Sequence, residues 1–476
     1  MNRSKRLYLL LGILAVVCAV TFIVCRYEEK KEQIKNSDEV LLKIEAENVT
    51  SLSWENETES LSFHKEESWI YDKDEAFPVS EDKVNELLEL FREFGVSFVI
   101  EEVEDYGQYG LDDPICTINI ETEDKKYEIK LGDYSKMDSE RYVSIGDGNV
   151  YLVKNDPLES YEAGLSDMIA HDDMPEFAEA EIHSIQFAGS SNYQIDYEEE
   201  SKDTYCEEDV YFTERDGKNC PLDSERVDDY LSMISNLDPT EYVTYDASEE
   251  EIESYGLDDP ELTVTVQYTP EDDEDIEEKE NKKQTFVINV SRDPEEADKE
   301  TKEEQKEDDE EEEEEITAYA RVGESSIIYQ ITGEQYQELM KASYDDLRHQ
   351  EVLSADFADI TQIDISLEGE DYTITCEGKG DDRIYYYGEE ELEIDDLKSA
   401  LMALTADSFT EEEPKGKEEI SLTVHLDNEN YPEVTVKLCR YDGSYFLAVV
   451  DGEPVSLVKR DQVIDLVEAV NAIVLN

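Results

Sequence analysis

Apolar residues return at helical spacing three times along the chain, each time between stretches that alternate like strands. Val84, Leu87, Leu88, Phe91 and Phe94 form the first stripe and predict an amphipathic helix. Ser80 stands where an N-cap belongs, Glu81 and Asp82 suit the positive end of the helix dipole, and Gly95 is the expected stop. Moving 143 positions on, Pro221, Asp223, Val227, Tyr230, Leu231, Ile234 and Leu237 repeat the pattern. Moving 313 positions on, Leu397, Ala400, Leu401 and Leu404 give a third, shorter version.

The flanks repeat as well. Short alternating strands precede the helices at 49–54, 182–187 and 360–367. After the first two helices stands one identical hexapeptide, Tyr109, Gly110, Leu111, Asp112, Asp113, Pro114 and again Tyr255, Gly256, Leu257, Asp258, Asp259, Pro260. Each copy leads into another alternating strand, at 115–121 and 261–268, and each unit ends in a predicted helix, at 158–168, 336–347 and 463–473. The third unit has residues 411–414 where the hexapeptide would fall. Short strand connections predict antiparallel sheets, so the fold class is α+β: three related modules of antiparallel strands with packed helices. The repeats are expected at 48–170, 180–350 and 358–476, with junctions at 169–180 and 349–359.

The amino end points to a membrane. Residues 7–25 are uncharged and almost wholly apolar, and as a helix they reach about 28 Å, enough for a bilayer core. Arg3, Lys5 and Arg6 precede this run, whereas Glu28 and Glu29 follow Arg26. The positive-inside rule makes 1–6 a cytoplasmic tail, 7–25 a single transmembrane helix, and 26–47 a polar linker to an extracytoplasmic body. A cleaved signal peptide calls for a shorter apolar core and a small-residue cleavage site. A lipoprotein signal calls for a small residue before its cysteine, but valine precedes both Cys18 and Cys25.

Charge narrows the partners. The chain carries 41 Lys and Arg against 127 Asp and Glu, a net −86. A nucleic-acid binder neutralises phosphates with cations, so that class is excluded. Residues 271–315 hold 24 acidic and 7 basic side chains, in two blocks on either side of a predicted strand. The acidic loops, 270–283 and 292–315, occupy the places of the short loops 122–126 and 134–140 in the first unit, and are expected to be disordered surface expansions. Diffuse cation association follows; a defined Ca²⁺ loop with a turn-forming glycine is absent from the sequence.

These residues resemble a bacterial family known as domain of unknown function 4340. The resemblance rests on the anchor, the strand leading to a helix, the Tyr-Gly-Leu-Asp-Asp-Pro turn, and Arg141-Tyr142-Val143 with the hairpin Gly146-Asp147-Gly148-Asn149. It implies an envelope protein without an established activity, with ABC transporter proteins among its expected partners, and it carries over no catalytic residues.

No motif of chemistry stands out. The chain lacks a Gly-x-Ser-x-Gly elbow, a His-Glu-x-x-His pair, a Cys-x-x-Cys pair and a phosphate loop. His64, His171, His183, His349 and His425 are scattered, none at metal spacing, so no catalytic, cofactor or metal residues are assigned. Cys116, Cys376 and Cys439 read as core residues. Cys206 and Cys220 leave a bridge open, although a two-residue turn at Asp216-Gly217 sets Thr213 opposite Cys220. The hexapeptide reads as structural: a left-handed glycine, a leucine plug, aspartates capping nearby amides, and a proline leading into an edge strand. Tyr385-Tyr386-Tyr387 and residues 441–445 are strand positions that could also form a contact surface. The expected function is a non-enzymatic, membrane-anchored envelope scaffold, an accessory of an ABC transporter complex. The alternatives are a passive surface binder of cations or wall polymers and, behind that, a hydrolase.

Overall fold

The computed structural model describes residues 39–101, 103–270, 283–296, 316–379 and 383–475. The expected anchor at 7–25 and most of both acidic loops lie outside them. Among the described residues no helix is long and apolar enough to cross a membrane.

The first sheet comprises β1 (Glu39–Leu42), β2 (Val49–Asn56), β3 (Ser60–Lys65), β4 (Trp69–Tyr71), β5 (Phe94–Ile100), β6 (Cys116–Thr122), β7 (Lys126–Ser135), β8 (Glu140–Ser144) and β9 (Val150–Val153). Helix α1 (Glu81–Glu89) separates β4 from β5, and α2 (Leu158–Tyr161) follows β9. The second comprises β10 (Glu181–Gly189), β11 (Tyr193–Tyr197), β12 (Tyr211–Arg215), β13 (Lys218–Pro221), β14 (Tyr242–Thr244), β15 (Leu262–Thr269), β16 (Gln284–Arg292), β17 (Ala318–Val322) and β18 (Ile328–Ile331). Its helices are α3 (Ser224–Ser235), α4 (Glu249–Ser254), α5 (Gly333–Met340) and α6 (Tyr344–Leu347). The third comprises β19 (Ile360–Leu367), β20 (Glu370–Glu377), β21 (Ile384–Tyr387), β22 (Glu390–Leu392), β23 (Ala406–Phe409), β24 (Glu418–Leu426), β25 (Glu433–Arg440), β26 (Tyr445–Val450) and β27 (Glu453–Lys459), with α7 (Asp395–Met402) and α8 (Arg460–Val474).

All three sheets are antiparallel and nine-stranded, and they follow one route. The second runs β13-β12-β11-β10-β15-β16-β17-β18-β14, and the third runs β22-β21-β20-β19-β24-β25-β26-β27-β23. The first has the same order with one strand fewer at one edge and β1 added outside β5 at the other. In each, a meander runs outward, a helix follows, and the next strand lands on the far side against the last strand of the module, at the sheet edge in the second and third and inside β1 in the first. Even the irregularities recur. The first strand of each module is bulged near its start, between Val49 and Ser51, Ile182 and Ser184, and Ile360 and Gln362. The strand that follows this helix is bulged in all three as well, between Val96 and Phe98, Tyr242 and Thr244, and Ala406 and Ser408. The chain divides into two compact units, residues 1–172 with the first sheet and 173–476 with the other two.

Local chemistry explains the helices. Ser80 accepts the Lys83 N–H at 3.3 Å to start α1, which buries Val84, Leu87 and Leu88. Asp223 accepts from Glu225 and Arg226 to start α3, which buries Val227, Tyr230, Leu231 and Ile234. Each such apolar side chain contributes roughly 1.5–3 kcal/mol by leaving water. Gly95, however, does not stop α1. The helix ends at Glu89, Phe91 packs in a turn, and Phe94 opens β5, where Gly95 pairs with Val40. The closing helices also differ from expectation in two modules. Gly164, in extended backbone, parts α2 from a short 3-10 turn at Leu165–Met168, and Ser343 caps a separate α6 after α5 ends.

Four of the chain's 30 tyrosines tie the cores to the backbone. Tyr161 is fully buried and its hydroxyl donates to the Leu87 carbonyl at 3.1 Å, tying α2 to α1. Tyr193 donates to Ala342, Tyr230 to Leu339 and Tyr385 to Phe357. A phenol thus fills the core and satisfies a backbone carbonyl where a chain segment ends. Tyr385 lies inside the third core, while Tyr386 and Tyr387 are half-buried. Replacing Tyr230 by Phe keeps the ring and removes the donor to Leu339. The full chain should lose about 1–3 kcal/mol, read from its urea midpoint, and an unchanged midpoint would assign that carbonyl to water.

Candidate functional site

A polar cluster lies within the 173–476 unit, where the chain leaves the second sheet for the third. Asp223 uses Oδ1 to cap α3, which leaves Oδ2 turned to its neighbours: Arg226 Nε at 3.3 Å and His349 Nδ1 at 3.9 Å. The other imidazole nitrogen, Nε2, is 2.8 Å from Asp209 Oδ1. Asp209 is only 3% exposed, and its second oxygen accepts from Thr204 Oγ1 at 2.6 Å. Glu351 completes the group, with Oε2 at 3.9 Å from His349 Nδ1. The segment then joins the third module: Glu351 bridges Thr405, Val352 N–H donates to Leu404, and Ala406 N–H donates to Gln350.

Burial alone would lower the His349 pKa. The hydrogen bond to Asp209 and the pull of Glu351 and Asp223 outweigh it and raise the imidazole to about 9. Proximity to His349 in turn holds Glu351 below the usual carboxylate range, against the effect of burial.

Two cavities lie in the same unit. One of about 700 Å³ adjoins the cluster and is lined by Arg226, Asp229, Tyr230, Lys341, Asp346 and Phe409 among others. Arg348 stacks over both Tyr344 and Phe409 there, at 4.8 and 4.2 Å. The other, about 310 Å³, is lined by Tyr197, Tyr211, Asp228, Leu231 and Ser232 together with the chain at 177–182. Tyr211 donates to Asp228 Oδ1 at 2.8 Å, and burial raises the Asp228 carboxyl.

The repeated hexapeptide makes the same helix stop twice. Gly110 and Gly256 have φ of 70° and 71°. Their N–H groups donate to Gly107 and Glu253, while those of Leu111 and Leu257 reach back to Tyr106 and Ile252. This is a Schellman motif with its hydrophobic plug, both leucines being 4% exposed. Tyr109 packs on Tyr142 and Tyr255 on Tyr319, at centroid distances of 4.9 and 4.6 Å. Two expectations fail. Among the described residues no backbone N–H donates to Asp112 or Asp258, which with Asp113 and Asp259 are exposed. Pro114 and Pro260 precede β6 and β15, which are central strands; a proline is tolerated because it stands before the ladder begins.

The remaining candidates stay apart. His64 pairs with Asp72, His183 with Thr269 and His425 with Asp364, each in a different sheet, and His171 lies near the end of the first unit. Thr213 does stand opposite Cys220, and Cys206 and Cys220 are free thiols. Burial pushes Cys116 and Cys206 up to about 12, which keeps them protonated and unreactive. Sequence reasoning identified Asp223 as a helix cap and placed a junction at 349–359, but nothing in spacing linked Asp223 to His349 and Glu351.

A family model described as Domain of unknown function (DUF4340) matches residues 69–243 and again residues 213–423, together well over half the chain. Each match runs from the last or next-to-last strand of one outward meander into the following sheet. No curated protein and no solved structure matches.

Two outcomes follow from this geometry. A Cβ on Gly110 would sit 2.8 Å from the Asp133 nitrogen in left-handed backbone, and one on Gly132 would sit 2.2 Å from the Tyr109 carbonyl oxygen. Gly110→Ala should cost about 1–2 kcal/mol or more by denaturant titration, and Gly132→Ala should cost more still. The reverse order would show that the turn is not held against β7. For His349, a folded pKa above the ordinary value near 6.5 means a contribution that is complete below that pH and lost as pH rises through about 9. In buffer with a metal chelator, the stability of the full chain should therefore fall by up to about 3 kcal/mol more across that range than that of His349→Gln. Parallel pH profiles would refute the linkage.

Proposed function

The chain belongs to the DUF4340 family, and from that premise we propose that it is a membrane-anchored, extracytoplasmic scaffold of the bacterial envelope, working by contact without a reaction of its own. The observation that carries this reading is one nine-stranded topology used three times, twice within a single compact unit. Repetition of a whole module multiplies surface without building a shared reaction centre. The anchor at 7–25 would hold these surfaces at the outer face of the cytoplasmic membrane, and the net −86 would keep them soluble and clear of anionic lipid. The partner we propose is an ABC transporter complex, for which this chain would be an accessory.

A second reading, a passive binder of wall polymers, is supported by the 310 Å³ cavity. There Tyr197 is an exposed aromatic ring and Asp228 an acceptor, the combination that suits a sugar ring.

Cross-linking in native membranes followed by pull-down and mass spectrometry separates the two, with the chain lacking 271–315 run in parallel. Recovery of a transporter permease or ATPase is the expected result, and its loss on loop deletion would locate the contact. Recovery of nothing above background would overturn the scaffold reading and favour the wall polymer.

A further inference from the structure

We propose that Asp223, His349 and Glu351 form a binding site for one divalent transition-metal ion, with Zn²⁺ as the representative species. This goes beyond the scaffold reading and does not depend on it.

The donors converge from separate parts of the chain. One ligand atom from each of the three residues lies within 4.8 Å of the others, and all three side chains are half-buried. Around an ion with bonds of about 2.0–2.2 Å, tetrahedral donors stand about 3.3–3.6 Å apart. The 3.9 Å separations from His349 Nδ1 to Asp223 and Glu351 therefore need to close by only about half an ångström. The third pair, Asp223 and Glu351, lies within 4.8 Å and has to close by up to about 1.5 Å, which ligation requires of the two carboxylate side chains.

The imidazole is oriented for the task. His349 Nε2 faces Asp209, which cannot turn away because it is buried and held by Thr204. In the free protein the imidazole is protonated on both nitrogens near neutral pH; the ion displaces the Nδ1 proton to solvent, the Nε2 proton stays against Asp209, and the Nδ1 lone pair then points toward Asp223 and Glu351. A carboxylate behind a ligating histidine is the usual outer partner in such sites. The helix cap consumes Asp223 Oδ1 and leaves Oδ2, so ligation need not unravel α3.

Charge agrees with a divalent ion. Asp209, Asp223 and Glu351 bring three negative charges and Arg226 one positive, leaving two to neutralise when the imidazole is neutral. One nitrogen and two carboxylate oxygens suit zinc and its neighbours better than Ca²⁺, which takes six to eight oxygens. Arg226 opposes binding, since its Nε already sits 3.3 Å from Asp223 Oδ2. It must swing out or share that oxygen, which makes it a diagnostic residue.

The test is calorimetric titration of Zn²⁺ into the purified, chelator-treated full chain, with excess Mg²⁺ present to occupy exposed carboxylates. One site is expected above any background, weakened at least tenfold in His349→Gln and in Glu351→Gln and tightened in Arg226→Gln. Cobalt substitution should give d–d absorption that His349→Gln removes, without a thiolate charge-transfer band. Should His349→Gln fail to fold, the opposite responses of Glu351→Gln and Arg226→Gln decide alone. Zinc binding that is absent, or equal in all these variants, or accompanied by a thiolate band, would overturn the site and place the ion on cysteines or on the acidic surface.

Discussion

In the middle of each sheet the first strand of a module pairs with the fifth or sixth, β2 with β6, β10 with β15 and β19 with β24, and every other pairing is arranged around that contact. The apolar partners across it are Leu52 with Ile120, Ile185 with Val266 and Ile363 with Val424, all buried. Between those strands the chain must complete one meander, form a helix and visit the far side of the sheet. Long-range pairing of this kind is entropically late, because the loop closes before its contacts reward it. Once it has closed, extra length elsewhere costs little, since each doubling of a loop adds only about 0.6 kcal/mol. The acidic expansions obey this rule: they join β15 to β16 and β16 to β17, outside the central closure.

Charge sets the second constraint. With 127 acids against 41 bases, cations are scarce and their placement is informative. Arg141 and Asp209 are charged and buried, and the Arg383 side chain is buried as well. Arg141 holds Asp156 through Nε at 2.6 and 2.8 Å and donates to the Gly132 carbonyl, beside the first helix stop. That gives the Arg141-Tyr142-Val143 run a physical meaning: the arginine fixes β7, the tyrosine packs on Tyr109, and the valine is core. The second module holds the same stop differently, with Ser291 Oγ donating to Gly256 and accepting from Glu261 N–H.

Much of the module was legible because it is written locally. The caps Ser80 and Asp223, the alternation in β2, β10 and β19, and the Asp216-Gly217 turn each depend on a few adjacent residues. Failures came where a distant contact decided. Phe91 and Phe94 continue a helical stripe, yet pairing of β5 with β1 and β9 claims Phe94 and Gly95 for a sheet. Gly164 and Ser343 split predicted helices because the Gly164 carbonyl and Ser343 Oγ accept the N–H groups of Asp167 and Asp346, whose carboxylates accept the Gly164 and Ser343 N–H in return, so each starts a new turn. The His349 cluster was invisible for the same reason: its donors meet only after the second module has folded.

Comparing the three copies shows where such a cluster can matter. Traits of the module recur: the central pairing, both bulges, and the buried face of α1, α3 and α7. The residue at the N-cap of those helices does not, being Ser80, Asp223 and Ile394 in turn. Of the three only the second is a carboxylate, with an oxygen not used by the cap, and among the described residues only there does the outgoing chain bring a histidine and a glutamate to meet it. A property of the repeated scaffold would be present three times and would survive the loss of one copy. The Asp223, His349 and Glu351 arrangement occurs once among the described residues, where the chain passes from the second sheet to the third, so whatever it contributes belongs to that junction and not to the module.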